Sequence, residues 1–410
     1  MDIPGLPARR AALQMLDAVM RRGDTLDMAE GAATKRIANF ADRALARAIA
    51  SEVLRWLVDL DALIDSATRN NLAEDAKVRT VLRIMLAQWL RLETPPHAII
   101  STALPLLSGG PRKLAHGVFS TLTKRETVLP DSPTLPGYTA QRWGDRAPAI
   151  AAALAQPPPL DLALKSHDRT AEWAAKLEGV SFAPGHIRLA RGRAIEDLPG
   201  FAEGEWWVQD FAASLPVRLL GEGNGREVLD CCAAPGGKTL QLAAAGWKVT
   251  ALDISEKRLR RLSENLKRLD LDAEIVIADA LKWKCETKFD AILLDAPCTA
   301  TGTARRHPDV IHRIGPRQIE AMSDLQSDLL AKAAGWLSPA GRLVYAVCSL
   351  EPEEGEAQAI ECKLKPCPIT AGELPDITPP TPQGWLRTDP GMIPESGGMD
   401  GFFVARFQAN

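Results

Sequence analysis

Two cysteines follow predicted strands and could supply a nucleophile. Cys298 lies in the run DAPC and Cys348 in the run YAVCS, fifty residues later. A thiolate that adds to carbon 6 of a cytosine makes carbon 5 reactive enough to accept a methyl group. Asp295 could then hydrogen-bond the cytosine, and a second thiol would suit removal of the carbon 5 proton. Spacing alone equally allows both cysteines to be buried packing residues, since free cysteine is commonly buried.

A glycine turn follows an earlier predicted strand, in the run CCAAPGGKT. A phosphate-binding P-loop would need a glycine where Cys232 stands, and the dinucleotide motif GxGxxG is absent. What remains is a tight turn at which backbone atoms can approach a ligand and a helix N-terminus favours a carboxylate. The candidate cofactor-binding residues of this turn are Cys232, Ala233, Ala234, Pro235, Gly236, Gly237 and Lys238.

Two acidic residues complete a candidate nucleoside site. Asp253 ends the next predicted strand, where a carboxylate can accept hydrogen bonds from a ribose, and Asp279 ends the one after it, where it can contact a ribose or an adenine amino group. Capping of a helix N-terminus is the alternative role for each aspartate. A nucleoside that carries a carboxylate and no phosphate fits S-adenosylmethionine.

The elements that position these residues begin near Arg226. Short apolar runs alternate there with helical stretches, which predicts buried strands in a parallel sheet with helices on both faces. Ligands bind beyond the carboxyl ends of such strands. The predicted strands are 228–229, 249–252, 275–277, 291–294 and 343–347, and the first four end at Asp230, Asp253, Asp279 and Asp295.

The first part of the chain has helical periodicity. Apolar residues from Leu45 to Ile64 recur every three or four positions behind Asp42, a predicted N-cap, and a second stripe covers 78–89. Prolines then interrupt the pattern. We therefore predict a helical domain over 1–126, a linker over 127–160, a small mixed α/β subdomain over 161–222, and the catalytic domain over 223–410.

Composition narrows the class of protein. The net charge is −3, but residues 1–125 carry 18 Lys and Arg against 13 Asp and Glu, so a basic front part precedes an acidic remainder. This permits a polyanionic partner. The seven cysteines include no C-x-x-C pair, which predicts neither a zinc site nor a disulfide framework. No membrane span or secretory signal is evident, so we expect a soluble cytoplasmic protein without a metal.

The motifs CCAAPGGKT, LLDAPCTATGTARRHPD and VYAVCSLEPEE resemble the Sun/RsmB family of ribosomal RNA cytosine-5 methyltransferases, in the wider Nol1/Nop2/Sun group. The front part resembles the NusB-like RNA-binding domain of its bacterial members. The resemblance implies a Rossmann-like methyltransferase domain that uses S-adenosyl-L-methionine, and a monomer acting on small-subunit ribosomal RNA. It identifies Cys348 as the nucleophile and Cys298 as the product-release residue. It implies cofactor contacts from 232–238, Asp253, Asp279 and Asp295, and a catalytic role for Lys238.

Two departures from that family pattern stand out. Val347 precedes Cys348 where threonine is usual, and the run LDLALK at 160–165 stands where the family commonly has an arginine and an asparagine that contact RNA. Transfer RNA is accordingly an alternative substrate. A non-catalytic RNA-binding assembly factor that keeps the cofactor pocket, and a small-molecule methyltransferase, are alternatives of other classes.

Overall fold

The structure, a computed structural model, describes residues 3–192 and 194–409. The chain divides into two compact units. A helical unit contains the residues up to Gln156 together with 304–314, and an α/β unit contains 157–303 together with the residues from Gly315 onward. Within the described ranges, every helix is too short or too polar to cross a membrane.

The helical unit is built around α5, whose residues Ile84, Met85 and Leu86 are fully buried. A short π-helix, Ala18–Arg22, extends α1. The main helices are α1 (Leu6–Asp17), α2 (Leu26–Ala33), α3 (Phe40–Arg55), α4 (Leu57–Ser66), α5 (Lys77–Leu90), α6 (Pro96–Ala103), α7 (Gly109–Lys124), α8 (Gly137–Trp143) and α9 (Ala147–Leu154).

The predicted helical stripes are confirmed, but the first N-cap is wrong. Asn39 caps α3 by accepting a hydrogen bond from the Ala41 amide at 2.8 Å. Asp42 lies inside the first turn, where a carboxylate favours the positive end of the helix dipole without capping it. The apolar stripe is also split between α3 and α4, which meet at Trp56.

Residues 127–160 do not form the predicted linker. They contain α8 and α9, and the residues up to Gln156 group with the helical unit. Proline is compatible with a helix start because the first amides of a helix need no intrahelical acceptor. Pro136 accordingly occupies the N-cap of α8, and a proline lies in the first turn of α9.

Buried arginines in the helical unit are paired with carboxylates. Arg83 donates two hydrogen bonds to Asp61, from Nε to Oδ1 and from Nη2 to Oδ2, each at 2.7 Å. Arg79 contacts Asp61 at 3.0 Å and also pairs with Asp65. Pairing offsets the cost of removing these guanidinium groups from water.

The α/β unit begins with a small three-stranded antiparallel sheet in the order β2-β1-β3, with β1 (Leu160–Leu164), β2 (His186–Leu189), β3 (Trp206–Val208) and α10 (Thr170–Leu177). The atypical run LDLALK is therefore its central strand. Asp161 in β1 forms a buried, two-point ion pair with Arg188 at 2.7 and 2.8 Å. This pair also fixes the register between β1 and β2.

The large sheet has the order β10-β11-β8-β7-β4-β5-β6, with β9 paired to β11. Its strands are β4 (Glu227–Cys231), β5 (Lys248–Asp253), β6 (Glu274–Ile277), β7 (Phe289–Asp295), β8 (Leu337–Val347), β9 (Lys365–Pro366), β10 (Leu386–Thr388) and β11 (Phe402–Gln408). The remaining helices are α11 (Phe211–Arg218), α12 (Gly237–Ala244), α13 (Glu256–Leu269), α14 (Val310–Arg313, within the helical unit), α15 (Pro316–Ala334) and α16 (Glu356–Glu361).

The five predicted strands are confirmed as β4 to β8, and their pairings are parallel. Two details of the predicted sheet are wrong. The sheet is mixed, because β11 and β10 add antiparallel strands beyond β8. The strand β6 is an edge strand rather than a buried one, and Ile277 is 55% exposed. The direction of strand order reverses between β4 and β7, which creates the crevice where such sheets bind ligands.

Candidate active site

A cavity lies at the carboxyl ends of β4, β5, β7 and β8, with a volume of about 440 Å³. Of the predicted site residues it is lined by Cys232, Ala234, Asp253, Asp279, Asp295, Cys298 and Cys348. Asp230, which was predicted to lie with the other three strand-end aspartates, is instead fully buried within β4. A larger cavity of 730 Å³ in the same unit is lined by none of the predicted site residues.

The two cysteines predicted to share one site are adjacent. The sulfurs of Cys298 and Cys348 lie 3.4 Å apart. Cys348 directly follows β8, and its carbonyl accepts a hydrogen bond from the Gly302 amide at 3.0 Å, so the two loops are tied by backbone as well. Val347 is buried in the sheet core, where its apolar side chain packs without needing a hydrogen-bond partner.

Lys238 holds Asp295 beside these thiols, with 2.8 Å between Nζ and Oδ2. The lysine side chain is only 10% exposed. Burial by itself lowers the pKa of Lys238, but the Asp295 carboxylate more than offsets this, and the net effect is a raised pKa. The Cys348 sulfur acts in the same direction. Lys238 therefore carries a positive charge beside Asp295.

The environment of Cys298 opposes its ionisation. The neighbouring Cys348 sulfur, through their hydrogen bond, and burial both raise the pKa of the Cys298 thiol well above its usual range. Cys298 is therefore a neutral thiol.

The glycine turn brings the backbone of 232–238 to the cavity. Gly236 has φ of +109° and is the N-cap of α12, and a Cβ there would lie 2.5 Å from Leu262 Cδ1, so only glycine fits. Cys232 and Ala234 reach the cavity wall, whereas the remaining predicted residues shape the turn behind it. A hydrogen bond with Cys231, followed by burial, raises the pKa of Cys232, which is therefore a neutral thiol.

Asp253 and Asp279 lie on the cavity wall and cap no helix. Asp253 accepts hydrogen bonds from the amides of Ala234 at 3.0 Å and Ser255 at 2.8 Å, and Ser255 is the N-cap of α13. Asp279 accepts one from the Leu281 amide at 3.0 Å, in a turn rather than a helix. Each carboxylate retains lone pairs for a ligand, because a carboxylate can accept about four hydrogen bonds.

Sequence reasoning missed Ile254 and Glu354. Ile254 follows Asp253, lines the cavity and is 70% exposed, which gives a planar base an apolar surface. Its position directly after the acid of β5 was the available signal. Glu354 is buried beneath the two cysteine loops and is bonded to residues of both. It lies inside the motif VYAVCSLEPEE, but a glutamate in a loop ordinarily indicates an exposed side chain.

The chain is similar both to known domain families and to whole proteins. The family model for the 16S rRNA methyltransferase RsmB/F matches residues 217–408, and the NusB family model matches residues 6–109. Proteins named ribosomal RNA small subunit methyltransferase B are similar over 97% of both chains. The Salmonella arizonae protein is 33% identical, and the protein from Klebsiella pneumoniae subsp. pneumoniae is 34% identical.

Solved structures share the fold. The protein PH0851 covers 100% of this chain and is itself covered completely, with a TM-score of 0.75 at 22% identity. A methyltransferase homologue from Pyrococcus horikoshii is 30% identical, with a TM-score of 0.54, over 66% of this chain and 93% of its own. NSun6 from Pyrococcus horikoshii, determined with SFG, gives a TM-score of 0.58 at 20% identity over 66% of this chain and 96% of its own.

Proposed function

The chain belongs to the ribosomal RNA small subunit methyltransferase B family and is an S-adenosylmethionine-dependent RNA methyltransferase, and on this premise we propose that it methylates carbon 5 of a cytosine in small-subunit ribosomal RNA. The observation that carries the proposal is the pair of thiols, 3.4 Å apart, on the wall of the cofactor cavity. Attack on a pyrimidine requires a nucleophile, and the reversal of that attack requires a base.

The cavity residues fit the cofactor. The carboxylates of Asp253 and Asp279 can accept hydrogen bonds from ribose hydroxyls and the adenine amino group, and Ile254 offers an apolar surface to the base. The start of α12 favours the carboxylate of the amino-acid portion. S-adenosylmethionine, when bound, supplies an electrophilic methyl group.

Cys348 is the proposed nucleophile. Its sulfur forms a bond to carbon 6 of the cytosine, and the electron pair of the carbon 5–carbon 6 double bond makes carbon 5 nucleophilic. Carbon 5 would take the methyl group that S-adenosylmethionine supplies, and the sulfonium sulfur would keep the electron pair of the broken sulfur–methyl bond. Asp295, held by Lys238, accepts a hydrogen bond from the cytosine amino group and stabilises the adduct.

Cys298 is the proposed base for release. Before the reaction the Cys348 sulfur raises the pKa of Cys298. Once Cys348 is bonded to carbon 6, its sulfur no longer shares a thiol hydrogen bond with Cys298, which removes a contact that raises the pKa of Cys298. Cys298 then loses its proton to water. The Cys298 thiolate removes the carbon 5 proton, the double bond reforms, and Cys348 leaves as a thiolate.

The ribosomal substrate rests on the names of the relatives and on the NusB family match in the helical unit. Together these favour ribosomal RNA over transfer RNA for this chain. The proposal includes a monomer that works with its ribosomal substrate in the cytoplasm and uses no metal.

Covalent trapping tests the roles of the two cysteines. We expect C348A to lose methyl transfer and to form no adduct, and C298A to accumulate a protein–RNA adduct that survives a denaturing gel when cofactor is present. C285A removes a thiol outside the cavity lining and serves as the matched control, with unchanged activity. Trapping by C348A instead of C298A would reverse the two roles, and transfer by C348A at the wild-type rate would contradict the mechanism.

A further inference from the structure

One buried carboxylate is bonded to the residue that follows each cysteine. Thr299 comes directly after Cys298, and Ser349 comes directly after Cys348. Both donate hydrogen bonds to the side chain of Glu354, which is fully buried. Two loops that are fifty residues apart in sequence therefore meet on a single group.

The two oxygens of Glu354 divide these contacts between them. Oε1 accepts from the Thr299 amide at 2.8 Å and from Gln326 Nε2 at 3.1 Å. Oε2 accepts from the hydroxyls of Thr299 and Ser349. All four donors are uncharged, and four is about the number that one carboxylate can accept.

Further hydrogen bonds connect Glu354 and Gln326 to the chain segments that precede the two cysteines. Gln326 also donates to the carbonyl of Pro297, the residue before Cys298, at 2.8 Å. The hydroxyl of Tyr345, in β8, donates to the backbone carbonyl of Glu354 at 2.6 Å. The position of Glu354 is thus fixed independently of the cysteines.

The charge of this group has no evident role in folding. Burial raises the pKa of Glu354, and the hydrogen bonds from Ser349 and Thr299 act against that shift. An apolar side chain would fill such a position at less cost in desolvation. A group that accepts hydrogen bonds from both loops sets their separation, which an apolar group cannot do.

We propose that Glu354 is a positioning residue that holds Cys298 and Cys348 at their reactive separation through Thr299 and Ser349. This inference rests on the proposed roles of the two cysteines. Glu354 contacts neither thiol within hydrogen-bonding distance, and it acts through the residues beside them.

Three variants of the full-length chain test the role. E354A removes all four acceptor contacts, and we expect kcat to fall about 100-fold, the order expected for a displacement of about 1 Å between reacting groups. The KM for S-adenosylmethionine should stay unchanged, because Glu354 does not line the cofactor cavity. E354Q should keep kcat within about 10-fold of the wild type, since its amide can donate to the two hydroxyls while its oxygen accepts from the two N–H donors. E353A replaces the exposed neighbouring carboxylate and should match the wild type.

Single-donor variants keep the test valid if E354A is unstable. S349A and T299V each remove one hydroxyl contact, and each should lower kcat about 10-fold while the KM for the cofactor is unchanged. Wild-type kcat in both, or a kcat of E354Q as low as that of E354A, would overturn the inference. The outcome is separable from failure of the proposed function: if C348A still transfers methyl groups, the cysteine roles are wrong, whereas an inactive C348A with a fully active E354A contradicts only the role of Glu354.

Discussion

Buried charges are treated differently in the two units of the chain. In the helical unit, the guanidinium groups of Arg79 and Arg83 are 4% and 1% exposed, and both are paired with carboxylates. In the α/β unit, the buried Asp161 is paired with Arg188, whereas Asp230 and Glu354, also fully buried, accept hydrogen bonds from uncharged groups. Both units pair buried charges, but the α/β unit also leaves these two buried carboxylates with uncharged hydrogen-bond donors.

The difference has a consequence for protonation. Paired groups stay charged. Removal of one partner destabilises the fold, because it leaves a buried charge without its counter-charge. Burial without a counter-charge raises the pKa of a carboxyl group instead. Desolvation raises the pKa of Asp230 to about 7, although the hydrogen bond from Thr239 lowers it. Stability should therefore depend on pH mainly in the α/β unit.

The largest predicted effect is the pH dependence contributed by Asp230. Its pKa is raised in the folded state, so its contribution to stability is fully present below the unfolded pKa near 4 and is lost as the pH rises through about 7. The shift corresponds to at most about 4 kcal/mol. Hydrogen exchange of the β4 amides, corrected for intrinsic rates, should show that the sheet is less stable at pH 8 than at pH 5. D230N should remove that slope, and an equal slope in D230N would assign it to another group.

A smaller effect is predicted for the paired charges of the helical unit. D61A leaves Arg83 without its two-point partner and removes one partner of Arg79. We expect the free energy of unfolding of this unit to fall by about 3 kcal/mol. This value is at the lower end of the range for breaking a buried pair, because Asp61 is 24% exposed. Hydrogen exchange of the α5 amides measures it. Hydrogen exchange in β4 should not change. A loss of stability in both units would show that the effect of the pair is not confined to the helical unit.

The smallest effect is predicted for an exposed pair in α13. Arg260 and Glu256 are 71% and 62% exposed and lie 3.0 Å apart. Water and salt screen such a pair, so R260A should change the free energy of unfolding by less than about 0.5 kcal/mol. Urea denaturation of the full chain measures this change. A loss comparable to that of D61A would show that burial does not determine the value of the pairs.

Much of the sheet could be predicted because its signals are local. Short apolar runs located β4 to β8, the first four of them followed by aspartates, and the glycine turn located the start of α12. The exposed edge position of β6 could not be predicted, because strand order depends on contacts between distant residues. The grouping of 304–314 with the helices is equally non-local, as in the hydrogen bond from the Leu26 amide to Asp309 at 3.2 Å.

The candidate site was predicted where residue type is informative on its own. Cysteines and strand-end acids are uncommon enough to attract attention, and the structure brings Cys298, Cys348, Asp253 and Asp279 to one cavity. Glu354 was missed because a loop glutamate resembles many surface residues. Asp230 was grouped with the cavity aspartates because sequence does not show which side of a strand end faces the ligand.

Nucleoside mass spectrometry tests directly whether the chain methylates carbon 5 of a cytosine in small-subunit ribosomal RNA. Unmodified small-subunit ribosomal RNA is incubated with the protein and methyl-labelled S-adenosylmethionine, then digested and analysed. We expect labelled 5-methylcytidine with the wild-type chain and none with C348A. Label on any other nucleoside, or none with ribosomal RNA when transfer RNA is labelled, would contradict the proposed reaction or its substrate.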